Sequence, residues 1–199
     1  MGTAERKARE KENVRKAILN TAWQMVKEDG WQSVSIRKIA DAIEYSAPVI
    51  YDHFENKEAI LLEFGKEGFR MLGKKLKEAK AKQEAPVDQL KMMAGAFWDF
   101  AARHKEYYQL MSGQGMMGCE IGKCIPGNLD FRNMISEPLS ELIRKGKNKH
   151  ADVCLKYFTF WSILHGLISM KNMRGSGVSD EINKLVMEDA VAGFIKNLG

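Results

Sequence analysis

A cluster of hydrogen-bonding side chains lies in the stretch YDHFENK, residues 51–57. Tyr51, His53 and Lys57 each carry a donor at the tip of the side chain, whereas Phe54 is apolar. Such donors suit phosphate oxygens, and a lysine that opens a helix can act together with the free N–H groups of the first turn. We therefore expect Phe54 to enter a small core while its three neighbours face an anionic partner.

Patterns typical of catalysis or metal binding are missing from the sequence. It contains no nucleophile elbow, no glycine loop that would cradle a phosphate, and no metal-ligating set. Cys119 and Cys124 have a C-x4-C spacing without a second pair, which is a weak metal signature. We expect no enzyme, no cofactor and no metal. Three alternatives stay open: a redox or metal sensor that uses Cys119 and Cys124, an enzyme acting on a small apolar substrate, and a helical scaffold.

Two short helices precede the cluster. Ser35 can cap the first, whose buried positions are Ile36, Ile39, Ala40 and Ile43, and Ser46 can cap the second. Pro48 is tolerated there, because the first turn of a helix has no partner for the missing N–H. Helices this short, joined by about three residues, form a helix-turn-helix, in which the second helix enters the major groove of DNA.

The rest of the chain also predicts helices. Four prolines in 199 residues, and no sustained alternation of β-branched residues, indicate an all-α protein of about nine helices. Besides the two short helices, the predicted ranges are Glu12–Lys27, Glu58–Lys82, Pro86–Arg103, Tyr107–Met111, Leu129–Lys145 (kinked or restarted at Pro138), Asp152–Met173 (buried) and a last helix after Ser179.

Charge and targeting signals are weak. The net charge of +5 is mild, although Arg6–Lys16 contains six basic and two acidic residues. This arm suits nucleic acid or a solvated helix end equally well. The start of the chain resembles no signal peptide, three cysteines form no disulfide framework, and no apolar run approaches the ~18 residues of a membrane span. We expect a cytoplasmic protein without a membrane partner.

The run GWQSVSIRKIADAIEYSAPVIYDHFENKEAILLEF resembles the TetR family of bacterial transcriptional regulators. The matching positions include Gly30, Ser35, Ser46, Tyr51 and Asn56. Further along, WSILHG at 161–166 resembles the signature of the WHG-type regulatory domain in that family. One position departs from the pattern, because Glu44 stands in the turn where the family usually has glycine.

The resemblance implies a role for each matched residue. Residues matching Tyr51, His53 and Lys57 contact the DNA backbone, and those matching Arg37, Ala47, Pro48 and Val49 face the bases. Of these four, only Arg37 can make a bidentate contact to guanine, so we expect part of the specificity to come from DNA shape. The predicted DNA-binding residues are Ser35, Arg37, Lys38, Ser46, Ala47, Pro48, Val49, Tyr51, His53 and Lys57.

The resemblance divides the chain into a helix-turn-helix domain of three helices, residues 1–57, and a helical ligand-binding and dimerisation domain, residues 58–199. The last two long helices support this division, because they are too apolar for a monomer surface and suit a four-helix bundle across a twofold axis. We therefore expect a homodimer.

Methionines and aromatic residues crowd the middle helices, and flexible thioethers suit varied apolar ligands. The simpler interpretation is that these residues are core, and His165 in particular suits either role. Few charges lie between the fifth and eighth helices, so we expect an apolar or weakly polar effector of unknown identity. The predicted ligand-binding residues are Met93, Phe97, Tyr107, Met111, Met134, Trp161 and His165.

Taken together, these features predict a ligand-responsive repressor. It would bind a palindromic operator as a homodimer and leave the DNA when the effector binds. A ligand can cause this release by favouring a dimer in which the spacing of the two helix-turn-helix domains no longer matches the half-sites.

Overall fold

Nine α-helices account for most of the described chain. The computed structural model describes residues 2–114, 131–146, 149–172 and 177–198, and within these ranges it contains no strand, which confirms the all-α prediction. The helices are α1 (Thr3–Asp29), α2 (Ile36–Ala42), α3 (Ala47–Tyr51), α4 (Lys57–Ala81), α5 (Pro86–Arg103), α6 (Lys105–Gln109), α7 (Phe131–Lys145), α8 (Val153–Asn172) and α9 (Asp180–Lys196). Cys119 and Cys124 lie outside the described residues.

The first helix begins nine residues earlier than predicted, at Thr3 rather than Glu12. Residues 3–13 are all exposed and carry no apolar stripe, so hydrophobic periodicity could not reveal this part of the helix. Their alanine, arginine, lysine and glutamate residues are nevertheless good helix formers. Gly30 ends the helix with a φ of 78°, which favours glycine, and its N–H donates to the Val26 carbonyl over 2.9 Å.

Helices α1 to α4 enclose the small core that the sequence predicts. Phe54 is buried there together with Ile18, Ile39 and Ile50. Ser35 and Ser46 stand immediately before α2 and α3 as predicted, but neither hydroxyl makes a capping hydrogen bond. Asn56 does cap α4, because its Oδ1 accepts a hydrogen bond of 2.8 Å from the Ala59 N–H.

The chain divides into two compact units. The first contains α1 to α3, α4 up to Phe69, and the segment from Glu106 that includes most of α6. The second contains the rest of α4 from Arg70 together with α5, α7, α8 and α9. The predicted domain boundary between residues 57 and 58 stays a prediction, since compact units need not coincide with functional domains.

Within the second unit, α5 packs against α7, α8 and α9, and α8 packs against α7 and α9. Helix α7 continues through Pro138, so of the kink or restart predicted there only the restart is excluded. Helix α8 begins at Val153, one residue later than predicted, and Asp152 caps it, since the Asp152 Oδ1 accepts from the Cys154 and Leu155 N–H groups.

Helix α8 is not buried on all sides, contrary to the prediction. Phe160, Leu164 and Ile168 are buried, but Phe158 and Met170 are 59% and 64% exposed. The expectation that no apolar segment is long enough to span a membrane is also wrong for α8. By length and composition alone α8 could cross a membrane, although it is the only such helix in the described ranges. An uncovered apolar face explains both observations.

Glu44 has a φ of 59°, so the turn between α2 and α3 holds a non-glycine residue in the left-handed region. We expect Glu44→Gly to stabilise the protein by about 0.5–1 kcal/mol, because relief of the Cβ clash exceeds the extra flexibility of glycine in the unfolded chain. The melting temperature should rise by about 1–3 °C. Glu44→Ala keeps the Cβ and should give no gain; a glycine variant that melts at or below the wild type would contradict the account.

Candidate nucleic-acid interface

The helix-turn-helix presents every predicted DNA-binding residue outside the core. Helices α1, α2 and α3 pack together, and the Tyr45 N–H donates to the Ala40 carbonyl over 3.0 Å within the connecting turn. Tyr51 is 55% exposed, although it ends a helix whose Ile50 is fully buried. Exposed residues of the predicted set are Arg37, Lys38, Ser46, Pro48 and Tyr51; Ser35, Ala47, Val49, His53 and Lys57 are half-buried. The hydrogen-bond donors among these side chains are therefore accessible to a partner such as DNA.

His53 has an unusual environment. Its Nδ1 is buried and has no hydrogen-bond partner in the described part of the chain. A buried lone pair is less costly here than a buried unpaired N–H, so the neutral ring should carry its proton on Nε2, where it can serve as a donor. Asp52 and His53 also line a recess of about 420 Å³ together with Lys7 and Lys11 of α1. Glu10 lines the recess as well, so its lining carries two basic and two acidic side chains.

Arg15 links three parts of the first unit and was not singled out from the sequence. Its guanidinium lies 2.6 Å from the Glu63 carboxylate and 4.8 Å above the centre of the Phe54 ring. Burial alone would raise the pKa of Glu63, but hydrogen bonds and positive charge from Lys66 and Arg15 outweigh burial and hold that pKa below its usual value. Arg15 thus connects α1 and α4 with the segment that carries the predicted phosphate contacts.

Helix α6 belongs to the same unit as the helix-turn-helix. The Trp31 indole N–H donates to the Glu106 carbonyl over 2.7 Å, and the Trp23 ring lies 4.6 Å from the Tyr107 ring. Burial, and then the charge of Glu67, raise the pKa of the Tyr107 phenol. Pairs separated by some 75 residues leave no local signal in the sequence, so these contacts could not be predicted.

The structure divides the predicted ligand-binding set between the two units. Tyr107 and Met111 lie in the first unit, close to Gly68 of α4. A Cβ at Gly68 would stand 2.6 Å from the Met111 sulfur, so glycine is what permits this close packing. The other five predicted residues lie in the second unit, where Met93 is buried and Met134 half-buried. Their role as ligand contacts stays a prediction.

Three of those five residues form a ring cluster in the second unit. The centre of the Phe97 ring lies 4.8 Å from that of Trp161 and 5.1 Å from that of His165. Trp161 and His165 also contact each other, with ring centres 5.6 Å apart. Burial lowers the pKa of His165, so its imidazole is uncharged at neutral pH.

A metal site is not evident in the described ranges. No group of three histidine, cysteine, aspartate or glutamate side chains there could hold an ion. The half-buried Cys154 thiol accepts a 3.2 Å hydrogen bond from Arg132.

One protein-family model matches the segment that contains the helix-turn-helix. Residues 18–64 match the model of bacterial regulatory proteins of the tetR family, which covers α2, α3 and the start of α4. No curated protein sequence matches the chain.

Solved structures share the fold of nearly the whole chain. A protein with unknown function from Rhodococcus sp. RHA1 is 22% identical, with a TM-score of 0.72 over 92% of this chain and 94% of that chain. The fatty acid degradation regulator FadR from Bacillus halodurans is 19% identical, with a TM-score of 0.67 over 92% and 93%. AibR in complex with isovaleryl coenzyme A and operator DNA is 18% identical, with a TM-score of 0.66 over 90% and 97%. The match to the family model and the shared fold support the resemblance to the TetR family, while the WHG-type assignment stays a prediction.

The lowered pKa of His165 makes stability depend on pH. Its folded pKa lies below the ordinary value, so the unfolded chain binds the proton more readily, and stability is lost as pH falls through about 6.5. We expect His165→Phe to lose less stability than the wild type between pH 7.5 and 5.5, measured by urea unfolding at one protein concentration. The exposed His150 supplies the control, since His150→Gln should keep the wild-type dependence. Equal dependence in all three proteins would show that His165 is not the titrating group.

Proposed function

We propose that this protein is a transcriptional regulator of the TetR type, a repressor that binds a palindromic operator as a homodimer and leaves it when a small molecule binds. The observation that carries the proposal is a helix-turn-helix with the exposed Tyr51 at the end of α3, within the segment that matches the tetR family model. The protein acts by binding rather than by catalysis, and it works in the cytoplasm.

On DNA, α3 enters the major groove of each half-site. Tyr51, His53 and Lys57 donate to phosphate oxygens, with Ser35, Ser46 and Lys38 as further contacts. Arg37 pairs with a guanine edge, whereas Ala47, Pro48 and Val49 contact apolar groups such as thymine methyls. Because one side chain supplies most of the base readout, DNA shape contributes to the choice of operator. The operator DNA bound to AibR, which shares this fold, supports the proposal.

The homodimer rests on the uncovered apolar faces of α8 and α9. Leu155 and Phe158 of α8 are 61% and 59% exposed, and Leu185 of α9 is 62% exposed. Large apolar side chains on two long neighbouring helices mark an interface, and pairing with a second copy gives a four-helix bundle about a twofold axis. This pairing also explains why α8 is as apolar as a membrane helix in a protein that does not bind membranes.

The effector binds at the ring cluster of Phe97, Trp161 and His165. These rings offer apolar area, and burial disfavours the charged form of the His165 imidazole by lowering its pKa, which together suit an apolar or weakly polar molecule. Met93 and Met134, which lie in the same unit, complete the proposed site, while the ligand role of Tyr107 and Met111 in the first unit stays a prediction from the sequence. The complex of AibR, a protein of this fold, with isovaleryl coenzyme A supports a small-molecule effector. The effector weakens DNA binding by favouring the dimer form that fits the operator less well.

The salt dependence of DNA binding tests the backbone contacts. In a dimer, Lys57→Gln removes two phosphate neutralisations, so the slope of log affinity against log salt should become shallower by about 1.8. The measurement is fluorescence anisotropy on one fixed duplex that the wild type binds, between 50 and 200 mM salt. Lys27→Gln at the exposed end of α1 is the matched control and should keep the wild-type slope. If the two variants have the same slope, Lys57 does not contact phosphate.

A further inference from the structure

A cleft of about 700 Å³ lies in the second unit, on the face of α5 that does not carry the ring cluster. Lys91, Gly95, Asp99 and Arg103 recur at every fourth position of α5 and so share one side of the helix. Helices α4 and α9 supply the other walls. The lining residues are Lys75, Glu78, Ala79, Lys82, Lys91, Met92, Ala94, Gly95, Ala96, Asp99, Arg103, Lys184, Met187, Glu188, Val191 and Ala192.

The floor of this cleft is apolar. Ala79, Ala94, Met187 and Val191 are buried there. Gly95 stands in the middle of α5, where glycine is a poor helix former, and a Cβ built on it would meet nothing within 4 Å. The space above Gly95 is therefore open and would accommodate an apolar group.

The rim of the cleft is mainly basic. It holds five cationic side chains and the carboxylates of Glu78, Asp99 and Glu188, which leaves two positive charges in excess. In the part of the chain that the structure describes, none of the five cations lies within 4.0 Å of a carboxylate. Glu78 instead lies 3.9 Å from Lys74, which is outside the cleft. The cations are Lys75, Lys82, Lys91, Arg103 and Lys184.

We propose that this cleft binds a small anionic amphiphile, with its apolar body on the floor and a carboxylate or phosphate head among the rim cations. The volume lies within the range of pockets that hold small ligands, and cations that have no carboxylate within 4.0 Å among the described residues can pair with an external anion. The site is separate from the proposed effector site, because Met93 and Phe97 lie on the opposite face of α5. It does not depend on DNA binding.

Ligands that share a chain but differ in the head group test the charge requirement. Titration calorimetry of the full-length protein, without DNA and below the micelle concentrations, would compare decanoate, decyl phosphate, 1-decanol and decyltrimethylammonium. The two anions should bind with one site per chain, and the tighter one identifies the preferred head group. Equal affinity for all four compounds, or no binding of either anion at millimolar concentration, would overturn the proposal.

Matched variants locate the site. Lys82→Gln combined with Lys184→Gln should weaken anion binding by about fivefold to tenfold, since each exposed charge contributes modestly. Lys77→Gln combined with Lys196→Gln removes two exposed lysines that do not line the cleft and should leave the affinity unchanged. Equal losses in the two double variants would overturn the assignment.

A second pair of variants tests the floor of the cleft. Gly95→Leu should abolish binding by filling the space, whereas Gly95→Ala should retain most of it. Thermal unfolding establishes that both variants are folded. Retained binding in a folded Gly95→Leu variant would place the ligand elsewhere. These titrations contain no DNA. A negative result would therefore count against the cleft and would leave the proposed binding to operator DNA unaffected.

Discussion

The burial of Phe54 is the constraint on which the predicted DNA-binding surface depends. The ring is 4% exposed within the core of the first unit, and the Arg15 guanidinium lies above it while also binding Glu63 of α4. With this ring held in place, the backbone of residues 51–57 has little freedom. Tyr51, His53 and Lys57 are then held outside the core at defined positions. A hydrophobic contact thereby determines where polar groups can meet phosphates, which lie in an equally regular array along a duplex.

Backbone strain and a buried polar atom without a partner among the described residues are tolerated close to Phe54. Glu44 keeps a positive φ in the turn before α3, and the His53 Nδ1 stays buried without a partner among the described residues. Both features cost folding energy, and costs of this kind tend to persist at functional sites. The core formed by Ile18, Ile39 and Ile50 supplies the stability that allows them. The second unit shows the opposite arrangement, because large apolar side chains of α8 and α9 are left exposed, at the surface that we propose for a second copy.

Local patterns in the sequence were sufficient for the elements near the site and insufficient for long-range packing. The starts of α2 and α3 after Ser35 and Ser46, and both ends of α5, follow from residue types and apolar spacing, although neither serine makes a capping hydrogen bond. The unusual turn at Glu44 was noticed through the family resemblance rather than from a local pattern. The early start of α1 carries no apolar stripe and could not be seen. The contact of Trp31 with Glu106 and the basic rim contributed by Lys82 and Lys184 join distant segments. The expectation of a ligand pocket poor in charge considered only α5 to α8, whereas Lys82 directly follows α4 and Lys184 belongs to α9.

The most direct test of the central claim is selection of duplexes from a random DNA pool by the purified protein, followed by measurement of the bound stoichiometry. Two helix-turn-helix units related by a twofold axis should select an inverted repeat, with half-site centres separated by one helical turn of about 34–36 Å or a multiple of it. Two subunits, or a multiple of two, should occupy each selected duplex. An enriched single half-site occupied by one subunit, or no enrichment at all, would contradict the account.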